Sequence, residues 1–150
     1  MLVIEQLTVQ PSAEELRGKE HDTLALTWEQ RRWTRGRFTT AGGREIALAL
    51  PTGTRIKPGM VLCVEPRWYV EVVAVAEPLL AVFAPGPESA LKVAFEVGNR
   101  HFPMALEGGV LLVPDDPAMV HLMRRLGVPF ERRLGAFEPF GFSGAHGDGV

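Results

Sequence analysis

The chain has a single cysteine, Cys63, in 150 residues. That excludes an intramolecular disulfide framework and any all-cysteine zinc site within one chain, and it fits a reducing cytoplasm. Surplus charge of one sign is also missing. Sixteen basic and eighteen acidic residues leave a formal net charge of -2, so no overall electrostatic footprint points to nucleic acid or to an anionic membrane. Long apolar runs are absent as well. The most apolar segment, Tyr69 to Phe83, is interrupted by Glu71, Glu77 and Pro78, and the start, Met1-Leu2-Val3-Ile4-Glu5, has no basic region leading into a long apolar one. Neither a transmembrane helix nor a signal peptide is expected. No G-x-S-x-G turn and no Walker phosphate loop occurs, so no catalytic residues are assigned.

What is there is enough for a compact fold. Hydrophobic residues make up 46% of the chain, ample for one domain or two small ones. Residues 1–74 read as a small all-β domain with strands at Leu2 to Leu7, Leu24 to Thr27, Arg31 to Thr39, Arg44 to Ala49, Met60 to Val64 and Trp68 to Val75. Ala41-Gly42-Gly43 and Lys57-Pro58-Gly59 supply the turn signals, and helical periodicity is hard to find. Alternation in the third strand puts Arg31, Trp33, Arg35 and Arg37 on one face. A solvated face is the first reading of that stripe, and docking of an acidic partner the second.

The pattern changes near Glu77-Pro78. A buried-type strand at Leu79 to Phe83 is followed by a helix with Leu91, Ala94 and Phe95 at helical spacing, capped at Ser89 and closed by Gly98. Phe102 to Leu106 and Val110 to Val113 flank a Gly108-Gly109 turn and make a hairpin. Asp115-Asp116-Pro117 opens a second helix whose apolar face is Met119, Leu122, Met123 and Leu126, and Gly127 stops it before a last strand, Val128 to Leu134. Strand, helix, strand, strand, helix, strand is the ferredoxin-like βαββαβ order, expected over 75–136. From Phe137 to Val150 the glycine-rich sequence is expected to form a flexible tail. The fold class is therefore α+β.

The joint Gly98-Asn99-Arg100-His101-Phe102-Pro103 is where chemistry is placed. Gly98 suits the left-handed closure of a helix, and Pro103 prevents it from resuming, so local backbone geometry holds His101. A histidine so fixed is a metal ligand, a general base or a satisfied core residue, and spacing alone does not separate these. His21 and His121 read as exposed, Cys63 as a small core residue, and Met119 and Met123 as core. An RNA-binding use of the βαββαβ sheet is disfavoured, because Leu79 to Phe83 and Val110 to Val113 are almost wholly aliphatic.

The run Gly98-Asn99-Arg100-His101 with Pro103 behind it resembles the central signature of the UreE family of urease accessory proteins, which are nickel metallochaperones. The resemblance extends to the arginine-rich Arg31 to Arg37 strand, the Leu50-Pro51-Thr52-Gly53 turn, Leu122-Met123-Arg124-Arg125-Leu126-Gly127 and Phe137-Glu138-Pro139. It implies a β domain that contacts protein partners and a ferredoxin-like domain that binds metal and pairs into a homodimer. It also implies nickel held by His101 at the dimer interface, and urease apoprotein and an accessory GTPase as partners; imidazole suits zinc and copper as well, so either is expected to be able to substitute. The family's histidine-rich tail is reduced here to His146, which remains a candidate extra ligand. A metal-independent adaptor in urease assembly is the alternative.

Overall fold

The computed structural model describes residues 1–7 and 9–141. Within it, the described residues of 1–75 form one compact unit and residues 76–141 a second.

The first unit contains β1 (Leu2–Ile4), α1 (Ala13–Leu16), β2 (Glu20–Leu26), β3 (Arg35–Thr39), β4 (Glu45–Ala49), β5 (Val61–Val64) and β6 (Trp68–Ala74). They pair as two three-stranded sheets, β1-β4-β3 and β2-β6-β5, each with one parallel and one antiparallel pair. Period-two alternation turns Leu24, Leu26, Ile46, Leu48, Val70 and Val72 inward, and these join Ile4, Leu50, Ile56, Leu62 and Cys63 in one core. Burial pushes the Cys63 thiol up to about 11, so it behaves as a small apolar residue, as its sequence setting suggested.

Two local features depart from the sequence reading, and both carry reciprocal side-chain-to-backbone bonds. Ser12 accepts from the Glu15 amide, and the Glu15 carboxylate accepts from the Ser12 amide, a capping box that starts the short helix α1 where none was expected. Thr27 and Gln30 exchange the same kind of bonds at 2.9 and 3.1 Å. They start a 3-10 turn at Gln30–Arg32, so β3 begins only at Arg35. Arg31 is consequently buried, donating to the Leu26 carbonyl at 3.0 Å. The four-residue stripe does not form; of its members, only Arg35 and Arg37 lie in β3, where they share the exposed face with Thr39.

The second unit contains β7 (Glu77–Val82), α2 (Pro87–Asn99), β8 (Ala105–Glu107), β9 (Val110–Pro114), α3 (Pro117–Leu126) and β10 (Phe130–Gly135). Its sheet runs β10-β7-β9-β8 with every neighbouring pair antiparallel, the ferredoxin-like arrangement. Leu80, Val82, Leu111 and Val113 from the sheet pack with Val93 and Val97 of α2 and Met119, Val120, Leu122 and Met123 of α3. The caps of α3 are those its sequence demands: Asp116 accepts from the Ala118 amide, Pro117 opens the first turn, and Gly127 closes it at φ 70°. At α2 the N-cap is Gly86 rather than Ser89, with Pro87 fixing the first turn.

The segment after β10 is held rather than loose where it is described. Phe137, expected in a flexible tail, is fully buried, and the Phe140 amide donates to the Met104 carbonyl at 3.1 Å. An aromatic side chain of that size offsets the ordering of its short segment.

Candidate functional site

Helix α2 carries two apolar stripes, and only one is used inside the unit. Val93 and Val97 are buried, with Ala90 and Ala94 packed beside them. Leu91 and Phe95, the residues whose spacing marked the helix, are instead 72% and 68% exposed. Gly98 continues that outer stripe at i+7, and a Cβ built on it meets nothing within 4 Å. With Leu126 and the flanking Glu88, Lys92 and Glu96, Leu91 and Phe95 line a shallow groove.

Where α2 ends, His101 does what the sequence assigned to Gly98. Gly98 stays helical, and His101 is the one non-glycine residue with positive φ among those described, at 61°. The His101 amide bonds the Gly98 carbonyl at 3.0 Å, and the Phe102 amide bonds Val97 at 3.2 Å. Those are the two bonds of a Schellman closure, with the left-handed position at His101. The register follows from packing. Val97 is buried in the same apolar cluster that Phe102 packs against, and Pro103 is buried next, so the chain must reverse between them. An L-residue in this conformation costs about 1–2 kcal/mol relative to the right-handed one, although histidine is among the residue types enriched there. The core on either side of the joint holds that strain, and the imidazole is left exposed to solvent.

The adjacent residues are tied down. Arg100 Nη1 donates to the Glu96 carbonyl at 3.0 Å and to the Glu96 carboxylate at 2.5 Å, and Arg125 of α3 approaches the same carboxylate at 3.8 Å.

The remaining candidates lie elsewhere. His21 pairs with Glu71 at 2.8 Å and stacks on Tyr69 in the first unit, and His121 is exposed on α3. Asp116 is the cap of α3, and Asp115 pairs with Arg132 at 3.1 Å, so each has a structural partner. His146 lies outside the described residues. Among the described residues, no three His, Cys, Asp or Glu side chains are grouped so as to hold an ion. No helix of the described residues is long and apolar enough to cross a membrane.

Fold and exposed residues together define a two-unit α+β protein whose ferredoxin-like unit presents the His101 imidazole at the end of the helix that carries an uncovered apolar stripe. Two family models cover nearly the whole chain: the UreE urease accessory protein N-terminal domain over 3–75 and its C-terminal domain over 77–150. Urease accessory proteins UreE of Burkholderia lata and Burkholderia thailandensis are 35% and 36% identical to it over 127 residues, 85% of this chain and 60% and 59% of theirs. That of Burkholderia vietnamiensis is 34% identical over 85% of this chain and 62% of its own. The chain belongs to the UreE urease accessory protein family, and it spans about three fifths of the length of these relatives.

Proposed function

We propose that the protein is a cytoplasmic nickel metallochaperone that serves urease assembly as a homodimer, taking up the ion between two His101 side chains. The observation that carries this reading is His101 itself: an exposed imidazole held in a left-handed closure that an ordinary helix end would give to glycine. Family membership supports urease assembly as the setting in which it acts, since the relatives are named urease accessory proteins.

One imidazole makes a poor site, and a twofold copy adds a second at the same place. The stripe of Leu91 and Phe95 on the helix that ends at His101 is an apolar surface for that pairing. An ion held by two imidazoles keeps open positions, which permits handover by ligand exchange to the urease apoprotein or its accessory GTPase. Zinc and copper suit imidazole equally, so selectivity for nickel comes from supply and partners. His146 is available as a further ligand from the end of the chain. The exposed Arg35 and Arg37 of β3 form the candidate docking face for a protein partner.

Calorimetric titration with nickel, run on the wild type and on His101→Ala with the oligomer mass measured in parallel, tests this. One ion per dimer, lost in the variant, is expected. Absence of specific binding in the wild type would move the function to a metal-independent adaptor.

A further inference from the structure

Every backbone carbonyl in the last turn of a helix must find a donor. At the end of α2 the arrangement is unusual. In an uninterrupted helix the Arg100 amide would bond the Glu96 carbonyl, four residues back. Here it turns to Val97 at 3.2 Å, because the chain is tightening into the closure at His101. The Glu96 carbonyl is taken up by the Arg100 side chain, whose Nη1 lies 3.0 Å from it and 2.5 Å from the Glu96 carboxylate.

We propose that Arg100 is a positioning residue for His101: its guanidinium, held on both the carbonyl and the carboxylate of Glu96, keeps the last turn closed and so fixes where the imidazole is presented. The inference rests on the metal-binding reading and adds a residue to it. Without the clamp, the Glu96 carbonyl is left to solvent, the closing turn opens more often, and His101 relaxes toward its more favourable extended conformations. The Arg100 and Glu96 side chains are about 30% exposed, and partly exposed pairs contribute little to global stability. The effect therefore falls on geometry, and residues that orient a metal ligand typically change affinity by roughly 10–100-fold. A lysine offers a point charge without the guanidinium's fixed fork, so it restores the clamp in part.

The test is nickel titration of the wild type, His101→Ala, Arg100→Ala and Arg100→Lys, with melting temperature, oligomer mass and amide exchange at Phe102 measured on each. Expected for Arg100→Ala are a loss of roughly tenfold or more in nickel affinity at unchanged mass and melting temperature, and faster exchange at Phe102. Arg100→Lys should lie between it and the wild type. Unchanged affinity in Arg100→Ala, or a loss that only follows dissociation of the dimer, overturns the clamp while leaving nickel binding intact. A wild type that binds no nickel, or His101→Ala binding as tightly as the wild type, overturns both.

Discussion

The two units place their polar residues in opposite ways. In the first, polar groups are buried and satisfied: Asp22 accepts from Thr40 and Arg44 side chains and from the Thr23 and Gly42 amides, and Arg31 is buried on the Leu26 carbonyl. Asp22 belongs to β2 and Thr40 to Arg44 form the turn between β3 and β4, so this cluster joins the two sheets of the unit. Among the described residues of the second unit the buried core is apolar throughout, and the one left-handed non-glycine residue is an exposed histidine. Polar chemistry in the first unit holds the fold together. In the second, the fold holds a polar group out.

Large core losses test the second half of that contrast. Phe137→Ala removes a fully buried aromatic side chain and should cost about 4 kcal/mol. Urea denaturation would register it, and a cost below about 1 kcal/mol would return the segment after β10 to the status of a loose tail.

Asp22→Ala tests the first half, and its expected cost is about 3 kcal/mol, because four donors lose a buried carboxylate. The cluster also gives a pH signature. Burial opposes ionisation of Asp22, but the hydrogen bonds from Thr40, Arg44, Gly42 and Thr23 together outweigh it and hold the carboxyl below its ordinary value. A depressed carboxyl contributes stability that is present above the unfolded value, about 3.9, and is lost as pH falls through the lower folded value. Wild-type stability should thus drop below about pH 4 more steeply than that of Asp22→Ala. Parallel acid dependence in the two would mean that the carboxylate is not the tie.

On the proposed reading, His101 separates stability from nickel uptake. His101→Gly should raise stability by about 1 kcal/mol, since glycine adopts φ 61° without the Cβ penalty, while abolishing nickel uptake. Thermal melts and titration on one preparation measure both. A His101→Gly protein less stable than the wild type would show that the imidazole contributes packing and that the joint is not strained.

How much of this was legible depended on the range of the signal. The βαββαβ order and the ends of α3 were readable because Asp116, Pro117 and Gly127 act on their own neighbours. The reciprocal pairs in the first unit are equally local, as Ser12-x-x-Glu15 and Thr27-x-x-Gln30, but the elements beside them are too short to carry an apolar period. The conformation of His101 was not legible: local sequence offers Gly98 for the left-handed position, and that position is set instead by where Val97, Phe102 and Pro103 are buried. Phe137 was missed for the same reason, since nothing beside it in sequence announces that its ring is buried.

The smallest effect on a single chain falls at the outer stripe of α2, and it is the most informative about assembly. Leu91 and Phe95 are largely exposed, so Leu91→Glu with Phe95→Glu should change the stability of an isolated chain by no more than about 0.5 kcal/mol. In a homodimer paired along this stripe the same substitutions bury like charges against each other across the twofold axis, which disfavours the pair strongly. The expected result is a monomer by light scattering with an unaltered far-ultraviolet spectrum. Because His101 ends the same helix, that monomer should also lose the proposed shared nickel site although its own imidazole is intact. A variant that stays dimeric and binds one ion per pair would move the interface off this stripe.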